Sequence, residues 1–151
     1  MSFNKNTWGK HIWNLLHIIT YRIKEENFTT AKPILVFLIK TICTNLPCPE
    51  CAMHSTNLLK LVNFDKITTK HELVLLIFNF HNTINIKLKK HRYEFTDMNI
   101  YNDMNINSIY YNFTKVYYSS IKTPQMMQHN FNKNLTKDKI KNNLNLLKQW
   151  Y

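Results

Sequence analysis

A single glycine, Gly9, stands in this chain of 151 residues, where average usage would give roughly ten. Sheet proteins use glycine at hairpin turns and bulges, so a chain almost without it is more easily built from helices. The hydrophobic pattern agrees. Trp8, Ile12, Leu15, Leu16, Ile19 and Ile23 recur at helical spacing and predict a first helix over about 8–25. Pro33 suits the first turn of a second helix over about 31–44, capped by Thr29 or Thr30. Asn45-Leu46-Pro47 breaks it, and Pro49 opens a third helix, capped by Cys48 and running to about Val62. Thr69 and Glu72 have the spacing of a capping box. Behind them Leu73, Leu76, Ile77, Phe80, Ile84 and Leu88 carry a fourth helix over about 70–91, and Tyr93 to Tyr101 supply a short fifth.

The last third reads differently. Ile106, Ile109, Tyr110, Phe113, Val116, Tyr117 and Ile121 form one amphipathic stripe, and Ile140, Leu144, Leu147 and Tyr151 another. Thr123-Pro124 to Asn134 reads as a polar linker between them. The expected organisation is all-α, with a functional helical unit over 1–102 and a helical C-terminal extension over 103–151. The extension carries no cluster of reactive side chains, so it is expected to pack on the core or on a partner.

Twenty basic and nine acidic residues give a formal charge of +11, which suggests an anionic partner. Only Arg22 and Arg92 are arginine, however, and guanine readout and bidentate phosphate gripping favour arginine. The groups Lys87, Lys89, Lys90, Arg92 and Lys133, Lys137, Lys139, Lys141 keep a nucleic-acid-binding protein as an alternative. A solvated lysine face, inflated by A/T-rich codons, is the simpler account, and no nucleic-acid partner is expected. The N-terminus MSFNKNTWGK lacks the apolar core of a secretory signal. The longest apolar runs, ILVFLI (34–39) and LVLLIF (73–78), fall far short of the ~20 residues that span a bilayer. A soluble intracellular protein without a membrane partner is expected, where a C-x-x-C pair is more often catalytic or metal-binding than structural.

Cys48-Pro49-Glu50-Cys51 is that pair. Two cysteines three residues apart at a helix start can close a small disulfide, and a helix N-terminus stabilises the thiolate that attacks or leaves in exchange. The metal reading adds Cys43 and His54, giving four residues of the kind structural zinc accepts. Zinc usually joins separated segments, whereas these four lie within twelve residues, and Cys43 falls beside Ile42 on an apolar helix face. A core cysteine is the simpler account of Cys43. Burial explains Cys48 and Cys51 poorly, because an exposed helix start is an odd place for core residues.

Trp13, His17 and Tyr21 step by four along one side of the first helix. His81, Asn82 and Asn85 are near neighbours on the fourth, with Leu88 to Lys90 one turn on. Singly, each is more simply a packing or surface residue. Together, an aromatic wall, amides for a ring edge or ribose and lysines for a phosphate make a nucleotide-shaped set. Beside a dithiol the missing element is an electron acceptor, and a flavin supplies one.

The chain resembles the Erv/ALR FAD-linked sulfhydryl oxidases. W-G-K-H-I-W-N-L-L-H (8–17), C-P-E-C (48–51) and H-N-T-I-N-I-K-L-K-K (81–90) stand in the order and spacing of that family's motifs, with Ile84 where the family has valine. The likeness covers about residues 8–95. It implies a four-helix bundle with a short fifth helix, holding FAD at one end. Trp8, Gly9, Lys10, Trp13, His17 and Tyr21 would line the FAD site from the first helix. His81, Asn82, Asn85, Leu88 and Lys90 would do so from the fourth, joined by Tyr93 and by His54 near the redox pair; no metal ligand is implied.

The implied reaction is a relay. A protein dithiol attacks Cys48 of the Cys48–Cys51 disulfide, Cys51 passes two electrons to FAD, and oxygen accepts them to give hydrogen peroxide. Many cellular members carry a further structural disulfide or a shuttle C-x-x-C, and this chain has neither. That stripped cysteine set is most like the versions from large cytoplasmic DNA viruses. The resemblance therefore implies action in the host cytoplasm or virion, a thioredoxin-like carrier as partner, and a homodimer.

Overall fold

The structure, a computed structural model, describes residues 5–119 and 124–151. Among them are seven α-helices and no strand: α1 (Lys5–Tyr21), α2 (Phe28–Thr44), α3 (Pro49–Lys60), α4 (Lys70–Lys87), α5 (Ile106–Tyr117), α6 (Pro124–Leu135) and α7 (Lys137–Leu147). Short 3-10 turns occupy Glu25–Asn27, Phe64–Lys66, Phe95–Asn102 and Lys148–Trp150. The all-α class expected from the scarcity of glycine holds.

α1 lies at the centre. It packs against α4 and the Phe95–Asn102 turn, against α5, and against α2. α2 in turn packs on α3 and α7. Leu15, Leu16, Ile18 and Ile19 of α1 are almost fully buried, as are Leu35, Leu38, Ile39 and Ile42 of α2. The extension adds to this same core rather than building its own. Phe113 and Tyr117 of α5 and Ile140, Leu144 and Leu147 of α7 join it, each large apolar side chain contributing about 2 kcal/mol relative to exposure. Ile121 and Thr123 lie outside the described residues.

Tertiary contacts moved several expected boundaries. α1 stops at Tyr21 rather than near 25. There the Arg22 guanidinium donates to the carbonyls of Tyr101 and Met104, and the Lys24 N–H donates to the Trp150 carbonyl, 2.9 Å away. α2 begins at Phe28, continued from the preceding 3-10 turn, so Asn27 and not Thr29 or Thr30 stands at its cap. Pro33 is then inside the helix. Both Pro33 and Thr29, whose carbonyl loses its partner, are exposed, so water can replace that bond. The expected linker over 124–134 is in fact α6, with Pro124 in its first turn.

The start of α4 matches expectation. Thr69 Oγ1 accepts the Glu72 N–H at 3.2 Å, and the Glu72 carboxylate accepts the Thr69 N–H at 3.0 Å. Its end comes early, at Lys87 rather than near 91. Lys89 turns the chain in the left-handed region at φ 54°. The Lys90 N–H donates to the Asn85 carbonyl (2.8 Å) and the Lys89 N–H to the Ile86 carbonyl (3.1 Å), the paired bonds of a Schellman motif. Glycine usually holds that position because a Cβ there costs about 1–2 kcal/mol. Lys89→Gly should therefore stabilise the protein by about 0.5–1 kcal/mol, after the extra freedom glycine gives the unfolded chain. A thermal melt of the variant that falls below wild type would show that the turn gains nothing from glycine.

Candidate functional site

α3 starts as its sequence requires. Cys48 is extended (φ −104°, ψ 117°) and its Sγ accepts the Cys51 N–H at 3.3 Å. Pro49 takes the first helical position, where no N–H is needed. Both cysteines are half-buried. Beside them opens a cavity of about 550 Å³ between α1, α3, α4 and the Phe95–Asn102 turn, within the range of small-molecule and cofactor sites. Cys51 lines it and Cys48 does not.

The walls come from the anticipated helices. α1 supplies Trp8, Gly9, Lys10, Trp13 and His17; α4 and the chain after it supply His81, Asn85, Leu88, Lys90 and Tyr93; α3 adds His54. The Trp13 ring stacks on His81 at 4.1 Å and 11°, with the edge of Phe80 at 5.4 Å. His17 Nε2 and His81 Nδ1 share a hydrogen bond of 2.8 Å, tying α1 to α4. His17 also lies against the Tyr101 ring, 5.2 Å away, and the Tyr101 hydroxyl donates to Asn14 Oδ1 at 3.1 Å.

Two of the anticipated residues stand elsewhere. Tyr21 does not line the cavity; its hydroxyl donates to Asn99 Oδ1, and Lys70 lies over its ring. Asn82 is buried and serves the wall from beneath. Its Nδ2 donates to the Tyr93 carbonyl and its Oδ1 accepts the Tyr93 N–H, both at 2.9 Å. Phe80, Ile84 and Lys87, which also line the cavity, share the α4 face already identified and could have been read from it. Asn14, Asp97, Met98, Tyr101 and Met104 line it too, and no spacing rule singled them out.

Lys10, Lys87 and Lys90 against Glu50 and Asp97 make the cavity rim net cationic. Cys43 reaches its wall from the end of α2, and burial pushes its thiol up to about 12. The zinc alternative required Cys43, Cys48, Cys51 and His54 to converge. Among the described residues no three His, Cys, Asp or Glu side chains are grouped to hold a metal, and His54 is exposed. Lys133, counted above in a solvated basic tail, is only 1% exposed. Among the described residues no helix is long and apolar enough to cross a membrane.

The sequence profile of the Erv1/Alr family matches residues 10–105. The chain belongs to the Erv1/Alr family. It is similar to protein 096R of Invertebrate iridescent virus 3, a proposed FAD-linked sulfhydryl oxidase, with 30% identity over 91 residues. That match takes in 60% of this chain and 62% of the relative's length. No solved structure matches the chain. The matched region ends at the start of α5, so most of the extension lies beyond the family profile.

The paired imidazoles predict a pH dependence. Burial, with His81 second, lowers the His17 pKa to about 3; burial, with Lys90 second, lowers that of His81 to about 4. Above the ordinary value of 6.5 both rings are neutral whether folded or not, so nothing is lost. As pH falls below 6.5 the unfolded chain binds protons that the folded one refuses. Stability should be full at pH 7 and decline steadily from about 6.5 toward 4. Denaturant midpoints measured across that range, in wild type and in His81→Gln, test this; the variant should show a shallower decline, and equal slopes would contradict it.

Proposed function

We propose that the chain is an FAD-dependent thiol oxidase forming disulfide bonds in protein substrates, with Cys48 and Cys51 as its redox pair, dioxygen as final acceptor and hydrogen peroxide as product. One observation carries this reading: Cys51 shares a cavity with a stacked Trp13–His81 wall and three lysines. The residues present fit FAD. Flat aromatic surfaces suit a ring system, and Lys10, Lys87 and Lys90 suit a pyrophosphate. Trp8, Trp13, His17, His54, His81, Asn85, Leu88, Lys90 and Tyr93 would hold it, with Asn82 fixing Tyr93 in place. FAD, when bound, supplies the two-electron acceptor, reoxidised by dioxygen, that no side chain provides.

The places of the two cysteines, Cys51 on the cavity and Cys48 off it, support a division of roles between them. A client thiolate attacks Cys48 Sγ, the S–S bond to Cys51 breaks, and its electron pair stays on Cys51 as a thiolate facing the cavity. The client's second thiolate then attacks the client sulfur of the mixed disulfide, releasing Cys48 as a thiolate and leaving the client oxidised. The chain holds no second C-x-x-C, which favours direct transfer from the client or from a thioredoxin-like carrier in a host cytoplasm or virion. Homodimerisation belongs to the same reading. α5 covers part of α1 and α7 part of α2, so the dimer surface would use other faces.

Gly9 offers a second handle. A Cβ there would meet no protein atom within 4 Å, so the protein itself does not require glycine in α1, although Gly9 lines the cavity. Gly9→Ala should raise the stability of the cofactor-free protein by up to ~1 kcal/mol while weakening FAD binding in a fluorescence titration. Unchanged FAD affinity would place the cofactor away from Gly9.

Purified protein should show visible flavin absorption and consume oxygen with dithiothreitol. Cys51→Ser should keep the absorption and lose dithiol-driven bleaching under anaerobic conditions. Oxygen uptake at the wild-type rate in that variant would overturn the assignment.

A further inference from the structure

Two side chains of the extension reach the backbone that delivers the redox pair. α2 ends at Thr44, and a helix leaves its last carbonyls without helical partners. Two are met locally, the Thr41 carbonyl by Asn45 Nδ2 and the Ile42 carbonyl by the Asn45 N–H. The Ile42 carbonyl also accepts from the Tyr117 hydroxyl of α5 at 3.3 Å. The Leu46 carbonyl, past the helix end, hydrogen-bonds His129 Nε2 of α6, which must carry the proton to serve a carbonyl. Tyr117 is fully buried, stacked on Phe113 at 4.8 Å, with the Lys133 ammonium 5.7 Å from its ring centre.

Between Leu46 and Cys48 stands only Pro47, which is buried and fixes its own φ. The direction of the Leu46 carbonyl therefore largely sets the path into Cys48, whose extended backbone places Sγ over the Cys51 N–H. We propose that His129 and Tyr117 are positioning residues for the Cys48–Cys51 pair, so that the extension sets the reactivity of a redox site in the bundle. This rests on the oxidase reading for its consequence in turnover, but the effect on the sulfur pair stands apart from any cofactor.

The test uses the full-length protein and three variants, His129→Ala, His129→Gln, whose amide can still donate, and Tyr117→Phe, which removes only a hydroxyl. Two glutathione molecules supply two electrons and two protons to open the Cys48–Cys51 disulfide, forming glutathione disulfide. Trapping the thiols at set glutathione ratios gives the equilibrium constant. His129→Ala and Tyr117→Phe should each shift that constant by about threefold to tenfold, the range for one hydrogen bond, and His129→Gln should return it toward wild type. kcat/KM for dithiothreitol should change with it. Constants within twofold of wild type in folded His129→Ala and Tyr117→Phe would overturn the proposal, as would a shift that His129→Gln fails to reverse. A wild-type protein that exchanges with glutathione yet never consumes oxygen would sink the oxidase reading and leave the positioning role to be judged on the equilibrium constants.

Discussion

The enclosure of α1 is the constraint on which the rest depends. A helix surrounded by α2, α4, α5 and the Phe95–Asn102 turn has little water to satisfy its polar groups. Thr20 answers by donating back to the carbonyls of Leu16 and His17. His17 answers by joining His81 across the helix interface. Across the same interface Trp13 stacks on His81, and the cavity lies beside them. The His17–His81 bond and the Trp13–His81 stack thus share one imidazole at the cavity wall.

The cavity divides labour between rigid and adaptable parts. Its aromatic wall sits on two long helices whose contacts fix ring planes. Its rim, where Lys87, Leu88 and Lys90 stand, is exposed and shaped by a left-handed turn. Asn82 bridges the two, holding the chain after that turn against the helix it has just left. A tight inner wall and a looser charged lip suit a ligand with a flat end and an anionic middle.

Much of this was legible in the sequence, because α1, α2 and α4 bury apolar stripes at helical spacing and the capping box of α4 acts locally. What failed did so for identifiable reasons. Steps of four residues advance about 40° beyond a full turn. Two such steps from Trp13 carry Tyr21 off the cavity face. α6 escaped because its pattern is inverted: Met127, Phe131 and Leu135 are exposed while Lys133 is buried, so hydrophobic periodicity points the wrong way. Tyr101 comes from a 3-10 stretch with no stripe, and only the folded chain brings it to His17.

Cys43 adds a consequence of its own. A thiol that burial keeps protonated at neutral pH cannot act as a nucleophile, even though it borders the same space as Cys51. As a protonated thiol, Cys43 is a poor attacker in disulfide exchange. The chain thus keeps a third sulfur on the same cavity wall as Cys51 in the form least able to exchange.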